Sequence, residues 1–88
     1  MKIEYHKNFL KNFKKRIRPN NNLNKKFQER LILFISDPTN IVLKNHRLTG
    51  AKRDLYAFSV AGDVRVLYEI SGQTYRLIDI GSHNQVYK

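Results

Sequence analysis

The histidines are the residues of this sequence whose chemistry is most informative. The chain contains three of them, His6, His46 and His83. An unperturbed imidazole titrates near neutral pH, so two histidines facing one phosphate could act as a base and an acid. No residues have metal-ligand spacing, and there is no glycine-rich phosphate loop or nucleophile elbow. These absences predict no metal or other cofactor, and they leave open whether two of the histidines are catalytic.

His83 has the most suggestive position of the three histidines. It follows Gly81 at the end of the last alternating apolar run and lies four residues ahead of Tyr87. A histidine there is poorly placed to build a core, but it can present an acid–base group and a neighbouring aromatic ring at the rim of a sheet. His6 stands at the start of the first predicted helix, where we expect a surface or capping role. His46 lies in a basic loop.

The positive charge of the chain favours a polyanionic partner. It has 17 Lys and Arg against 7 Asp and Glu, a net charge of +10. Residues 1–53 hold 14 basic and 3 acidic residues, whereas residues 54–88 hold 3 and 4. Each phosphate that a basic side chain neutralises releases counterions, which favours nucleic-acid binding. A solubilising basic surface is the alternative, and a basic helix on a membrane surface fits less well because the core needs the apolar faces.

The length and composition predict one small soluble domain over residues 1–88. A chain of this size can build a single core. It has no cysteine, which excludes disulfides and thiolate metal sites. It has no apolar run long enough for a membrane span, and the N-terminal MKIEYHKNF lacks an apolar signal core. We therefore expect a cytoplasmic protein with no membrane partner.

Hydrophobic periodicity predicts a short strand at residues 2–5 followed by two helices. The apolar stripe of the first helix comprises Phe9, Leu10, Phe13 and Ile17. Pro19 and the asparagines at 20–22 should end that helix. The stripe of the second helix comprises Leu23, Phe27, Leu31, Phe34 and Ile35, and this helix should end near residues 36–38. The two helices should form an antiparallel hairpin whose stripes cover a common surface.

Three strand-like runs follow, at residues 55–60, 64–70 and 74–80, separated by glycine turns. Short glycine turns between apolar runs predict an antiparallel meander. In the middle run one face carries Val64, Val66, Tyr68 and Ile70, which should meet the helices. That leaves Arg65 on the open face. The expected fold is α+β, in the order β-α-α-β-β-β, with one helical layer on one sheet.

Residues 39–53 form a segment without a clean period. Structureless loops of this length are unusual in small domains and are often functional. Apolar residues that could anchor the segment are Ile41, Val42, Leu43 and Leu48. Its basic residues, which are candidates for phosphate contacts, are Lys44, Arg47, Lys52 and Arg53. Nearby, Asp63 and Arg65 could simply form a surface ion pair. This alternative to a functional role for the two residues stays open.

Four blocks of sequence carry a resemblance to a known family. They are Lys44-x-His46-x-Leu48-x-Gly50, then Leu55-Tyr56, then Asp63-Val64-Arg65-Val66-Leu67-Tyr68, then Asp79-Ile80-Gly81-Ser82-His83-x3-Tyr87. In this order and spacing the chain resembles the RelE/ParE superfamily of type II toxins, and most of all its RelE and YafQ branches. The resemblance covers nearly the whole chain and implies a RelE-like fold.

The resemblance implies an mRNA interferase that enters the ribosomal A site, contacts mRNA and rRNA, and cleaves the messenger without metal. The 2′-hydroxyl would attack the adjacent phosphate and leave a 2′,3′-cyclic phosphate. It also implies a cognate antitoxin, and a toxin–antitoxin complex that binds operator DNA mostly through the antitoxin.

The resemblance also implies a role for each matching residue. His46 would be the general base and His83 the general acid. Arg65 would stabilise charge on the phosphorane-like transition state. Tyr87 would stack on or orient a base, and Asp63 matches an active-site aspartate of YafQ-like toxins.

The chain departs from the family pattern at two points. Ser59 stands where YafQ-like toxins have a further histidine, and histidines stand here where RelE-like toxins use lysine and arginine. Which histidine is the base and which the acid therefore stays open. A ParE-like inhibitor of DNA gyrase and a ribosome-independent RNase are the alternative functions, although the pair His83 and Tyr87 argues against the ParE branch.

Overall fold

The computed structural model describes residues 2–87, which form a five-stranded sheet with a helical layer on one face. The N-terminal half contains β1 (Lys2–Tyr5), α1 (Lys7–Arg16) and α2 (Asn21–Ser36). The C-terminal half contains β2 (His46–Arg47), β3 (Tyr56–Ala61), β4 (Val64–Ser71), β5 (Thr74–Ser82) and α3 (His83–Val86). The predicted α+β fold is confirmed. No helix among these residues is long and apolar enough to cross a bilayer.

The sheet has the strand order β1-β5-β4-β3-β2. The predicted antiparallel meander of β3, β4 and β5 is confirmed. β1 pairs in parallel with β5, from Lys2 opposite Thr74 to Tyr5 opposite Leu77. The N-terminal strand therefore supports the strand that leads to His83, but only along the first part of its length.

Side-chain caps set where the two long helices begin. His6 caps α1, because its Nδ1 accepts a hydrogen bond from the Asn8 N–H at 3.0 Å, which confirms the expected capping role. Asn20 caps α2 by accepting from the Leu23 N–H at 3.0 Å. The first helix ends before Pro19, as predicted, and the asparagine run begins the second helix.

Aromatic residues dominate the core between the helices and the sheet. The Phe27 ring lies 5.8 Å from Phe9 and 5.1 Å from Phe13, which joins α1 to α2. Phe34 of α2 stacks on Phe58 of β3 with a centroid distance of 4.5 Å. Burying an aromatic side chain of this kind contributes about 1.5–3 kcal/mol. These contacts hold the helical hairpin on the sheet.

The apolar faces are narrower than predicted. Leu10, Ile35 and Ile70 were expected on them but are 55%, 46% and 44% exposed. Leu10 is rotated by about 100° from Phe9 around the helix axis, which places it at the margin of the stripe. Ile70 lies near the end of β4, next to the turn that leads to β5.

The segment 39–53 is not structureless, contrary to the prediction. It contains two single turns of 3₁₀ helix, Ile41–Leu43 and Gly50–Lys52, with β2 between them. β2 pairs antiparallel with β3, His46 opposite Ala57 and Arg47 opposite Tyr56. Leu43 is fully buried and anchors the segment, whereas Ile41 is 86% exposed and does not.

The sheet face opposite α1 and α2 is also partly covered, although it was expected to be open. Ala57, Leu67 and Val86 are buried there and form a second, smaller apolar cluster. The partly buried residues packed against it are Leu48, Leu55 and Tyr87. This second face is the one that carries the candidate active site.

Candidate active site

The C-terminal segment forms a helical turn at the end of β5. The strand ends at Ser82, and α3 begins at His83. Ser82 and Gln85 form a capping box: the Gln85 side-chain oxygen accepts from the Ser82 N–H at 2.8 Å, and the Ser82 hydroxyl accepts from the Gln85 N–H at 3.3 Å. Val86 anchors the turn by packing in the second apolar cluster.

The turn brings His83 and Tyr87 together. They are four residues apart, and their ring centroids lie 4.5 Å from each other with a tilt of 58°. His83 is exposed and Tyr87 is half-buried. The imidazole is therefore open to a ligand, with an aromatic surface beside it.

Arg65 lies next to this turn on the second face. It is paired with Gly81 of β5 on one side and Ser59 of β3 on the other. Alternation places it on the same face as Leu67, which packs against Val86 of α3. Burial raises the pKa of the Tyr87 hydroxyl above its ordinary value, and the Arg65 guanidinium opposes that rise. Tyr87 is consequently a neutral phenol at physiological pH, with a cation nearby.

His46 reaches the same face from β2. Its pairing partner Ala57 is paired in turn with Leu67, so the three residues form one row across the sheet. Its Nδ1 lies 2.8 Å from the Lys44 carbonyl oxygen. Because a carbonyl oxygen only accepts, Nδ1 donates in this contact, and Nε2 of the neutral ring keeps its lone pair. That geometry suits His46 to accept a proton.

The strand order places Arg65 between the two histidines. His46 is on β2, Arg65 on β4, and His83 follows β5. Neighbouring strands are about 4.8 Å apart, so the backbones of β2 and β5 are separated by about 14 Å. Arg65 lies on this face two residues along β4 from Leu67, which belongs to the row of His46. A proton acceptor, a cation and a proton donor on one face are the groups that transfer at phosphorus requires.

Asp63 occupies the two-residue turn between β3 and β4. Gly62 in that turn has a φ of 50°, a left-handed conformation that glycine adopts without strain. The Asp63 side chain is exposed. Among residues 2–87 it forms no ion pair with Arg65, so the alternative of a simple Asp63–Arg65 surface pair is not what the structure has.

The basic residues of segment 39–53 do not act as one group. Arg47 lies over the Tyr56 ring at 5.9 Å and donates to the Arg53 carbonyl at 2.6 Å. It therefore belongs to the face of the sheet opposite His46, next to an edge cleft of about 340 Å³ that His46 also borders. Lys44 and Arg53 are exposed, and Lys52 is half-buried in its 3₁₀ turn.

Two features of the site were not predicted from the sequence. The helical turn after β5 was not predicted, although the spacing Ser82-x-x-Gln85 is a capping-box signature. The half-buried carboxylate of Asp79, which contacts α1, was not recognised either, although an acidic residue inside an apolar strand is a signal. No three His, Asp or Glu side chains in the described range are close enough together to hold a metal ion.

Comparison with known proteins identifies relatives of this architecture. A family model described as the bacterial toxin of type II toxin–antitoxin systems, YafQ, matches residues 1–88. No protein of curated function matches the sequence.

Among solved structures, YafQ from E. coli strain BL21(DE3) superposes with a TM-score of 0.83 at 22% identity, over 98% of this chain and 97% of that one. The toxin of the E. coli DinJ–YafQ toxin–antitoxin complex matches with a TM-score of 0.80 at 22% identity, over 98% and 96% of the two chains. A YoeB/ParE toxin from Agrobacterium tumefaciens has a TM-score of 0.79 at 16% identity, over 94% and 99%. At these identities the likeness to solved structures establishes the fold alone.

Proposed function

The chain belongs to the YafQ family of bacterial toxins from type II toxin–antitoxin systems, and we propose that it is an endoribonuclease that cleaves mRNA in the ribosomal A site. The observation that supports this most directly is the placement of Arg65 between His46 and His83 on one face of the sheet. The net charge of +10 supports a polyanionic substrate.

The first half of the reaction is attack of the ribose 2′-oxygen on the adjacent phosphorus. Nε2 of His46 removes the 2′-hydroxyl proton as the O2′–P bond forms. The contact of Nδ1 with the Lys44 carbonyl fixes the ring in the tautomer that can accept this proton. His46 ends this step as an imidazolium.

The second half is departure of the 5′-oxygen. Arg65 stabilises the negative charge that accumulates on the non-bridging oxygens. His83, protonated before the reaction, donates its proton to O5′ as the P–O5′ bond breaks. The products are a 2′,3′-cyclic phosphate and a 5′-hydroxyl, and the two histidines return to their starting states by exchanging protons with water.

The remaining site residues bind and orient the RNA. Tyr87 offers its ring to a base next to the scissile phosphate, and its neutral hydroxyl serves as a hydrogen-bond donor. Asp63 is exposed two residues before Arg65 and can accept a hydrogen bond from a ribose hydroxyl. Lys44, Lys52 and Arg53 supply phosphate contacts along the same segment. Arg47 contributes least, because it is already held by the Arg53 carbonyl and Asp54.

A cognate antitoxin is the proposed protein partner. The solved E. coli DinJ–YafQ complexes support this assignment, since the toxin in them has the fold of this chain. The surface offers both charge and apolar area for an acidic amphipathic segment: the net charge is +10, and Leu10 and Ile32 are 55% and 68% exposed. The toxin–antitoxin complex would bind operator DNA mostly through the antitoxin.

The test is primer-extension mapping of mRNA on translating ribosomes exposed to purified protein. Wild-type protein should produce cleavage within the A-site codon. His83→Ala should lower the cleavage rate by about 10²–10⁴-fold, the usual contribution of a general acid. Asn84→Ala is the matched control, because Asn84 is the exposed neighbour of His83 in α3.

Three outcomes would contradict the proposal. Cleavage by His83→Ala at the wild-type rate would remove His83 from the site. Equal cleavage of naked RNA would identify a ribosome-independent RNase. Inhibition of DNA supercoiling by gyrase, with the messenger left intact, would identify a ParE-like function on the same fold.

A further inference from the structure

The outer edge of β5 loses its strand partner before the active site begins. β1 pairs with β5 only as far as Tyr5 opposite Leu77. Beyond that point Arg16 of α1 takes the place of a strand, because its guanidinium donates to the Ile80 carbonyl at 3.0 Å. This edge carbonyl is thus held by a side chain from the helical layer.

Asp79 completes the contact between α1 and β5. One carboxylate oxygen accepts from the Asn12 amide at 2.7 Å and lies 3.5 Å from the Arg16 guanidinium. The same oxygen accepts from the Ile80 N–H at 2.8 Å. Asn12 and Arg16 are four residues apart and therefore share one face of α1. Two side chains of the helix thus contact two consecutive residues of the strand.

Arg16 differs from the other basic residues of α1. Its side chain is 23% exposed and that of Asp79 is 22% exposed, so solvent screens this pair less than a surface pair. The lysines of α1 at positions 7, 11, 14 and 15 are exposed, and in the described part of the chain none forms an ion pair. Arg16 therefore differs from these lysines in that its side chain contacts the sheet.

Gly81 connects this contact to α3. A Cβ added at Gly81 would lie 2.6 Å from the Gln85 side-chain oxygen and 2.7 Å from the Arg16 guanidinium. A side chain at residue 81 would have to displace the ends of both side chains from these positions. Gln85 is the residue that caps α3 by accepting from the Ser82 N–H. Arg16 therefore packs directly against the start of the turn that carries His83 and Tyr87.

We propose that Arg16, held by Asp79 and Asn12, is a positioning residue that fixes the β5–α3 junction and thereby sets His83 and Tyr87 against Arg65. The role rests on the proposed function of that site. Arg16 does not touch the RNA; it acts through the Ile80 carbonyl, Gly81 and the cap of α3. A helix of four residues is not stable by itself, so its place depends on contacts of this kind.

The kinetic test compares Arg16→Gln with Arg18→Gln in single-turnover cleavage on programmed ribosomes. Both changes remove one positive charge near the end of α1, but no ion pair engages Arg18 within the described range. Arg16→Gln should lower the rate at saturating ribosomes by roughly tenfold to a hundredfold, because a displacement of about 1 Å costs this much. The ribosome concentration that gives half of the maximal rate should stay within about twofold of the wild-type value. Arg18→Gln should match the wild-type rate at saturation.

A double variant tests whether Arg16 and Asp79 act through one network. Arg16→Gln combined with Asp79→Asn should be no slower than the slower single variant, because the two residues act through one network. If the fold losses of rate in the two single variants multiply in the double variant, Arg16 and Asp79 act independently.

NMR of the free protein tests the positioning without any RNA. Arg16→Gln should broaden or shift the amide signals of residues 81–87 and weaken the contacts between Val86 and Leu67, while signals of the aromatic core stay in place. Arg18→Gln should leave residues 81–87 unchanged. If wild-type protein does not cleave mRNA, the proposed function fails, and this measurement still decides whether Arg16 holds α3.

Two results would overturn the inference. The first is an Arg16→Gln variant with wild-type signals at residues 81–87 and, where cleavage occurs, the wild-type rate. The second is an equal loss of rate in Arg16→Gln and Arg18→Gln, which would make total charge, and not position, the cause.

Discussion

Removing the charge of Arg65 while keeping the length of its side chain tests the centre of the proposed site. Arg65→Met does this, because methionine fills a similar space beside Leu67. Within residues 2–87 the Arg65 guanidinium takes part in no ion pair. The free energy of unfolding should therefore change by no more than about 0.5 kcal/mol, as for surface substitutions without a partner.

The expected loss of activity follows from the position of the guanidinium. Two unit charges about 4 Å apart near a protein surface interact by about 4 kcal/mol. Removing one donor from an oxyanion site costs about 10²–10³-fold in kcat, which is a similar free energy. Arg65 is half-buried, so solvent screens part of its field, and we expect the lower end of that range. Arg65→Met should cleave roughly a hundredfold more slowly than wild type.

Arg76→Met is the matched control. Arg76 is on β5 opposite Glu69, and it forms exposed ion pairs with Glu69 at 3.1 Å and Glu4 at 3.8 Å. Its removal takes the same charge from the sheet, away from His83. Exposed pairs contribute about 0–1 kcal/mol, so stability and cleavage should both change little. The assay is single-turnover cleavage of A-site mRNA at saturating ribosomes.

A second measurement tests the geometry without RNA. The Arg65 guanidinium holds the pKa of Tyr87 below the value that burial alone would give. Removing the guanidinium should therefore raise the pKa of Tyr87 further, which tyrosine ring signals can follow at alkaline pH. Equal cleavage by Arg65→Met and Arg76→Met would refute the electrostatic role, and an unchanged Tyr87 titration in Arg65→Met would refute the proximity of the two residues.

Two further predictions concern tyrosines. Tyr87→Phe should keep most of the cleavage rate and Tyr87→Ala should lose it, because the ring beside His83 supplies the stacking surface; equal losses in both would assign the role to the hydroxyl. Burial raises the pKa of Tyr68 from 10.0 to about 12, so the neutral phenol stabilises the fold below pH 10 and this contribution disappears as the pH rises through 12. Between pH 9 and 12 the melting temperature should fall less steeply with pH for Tyr68→Phe than for wild type. Parallel curves for the two proteins would show that another group titrates.

The fold was largely predictable because its main elements have clear periods. The apolar stripes on α1 and α2 and the glycine turns between β3, β4 and β5 are local signals. They can be recognised without knowing which elements pack together. Segment 39–53 had no such signal. β2 has only two residues and exists because it pairs with β3, so its sequence alone cannot mark it as a strand. The exposure of a residue at the margin of an apolar stripe, such as Leu10, also depends on which elements the helix packs against.

The residues of the candidate site could be named from the sequence, but their arrangement could not be predicted from it. His83, Tyr87 and Arg65 were singled out by residue type and by the family resemblance, and in the structure they are neighbours. Arg47 was grouped with the same site because it lies in the basic segment. Pairing of β2 turns Arg47 to the other face of the sheet, next to Tyr56, because successive side chains of a strand alternate.

The two long helices, the three-stranded meander, the charge and the chemical groups could be predicted from the sequence, because they depend on residue type and on spacing within a few turns. It also carried the capping box at Ser82 and Gln85, which is a local pattern. The position of Arg65 between His46 and His83 follows from the strand order and therefore needs the folded chain. The tertiary structure alone likewise brought Arg16 to the Ile80 carbonyl, 64 residues away in sequence, because β1 ends before the active site and leaves that edge of β5 free.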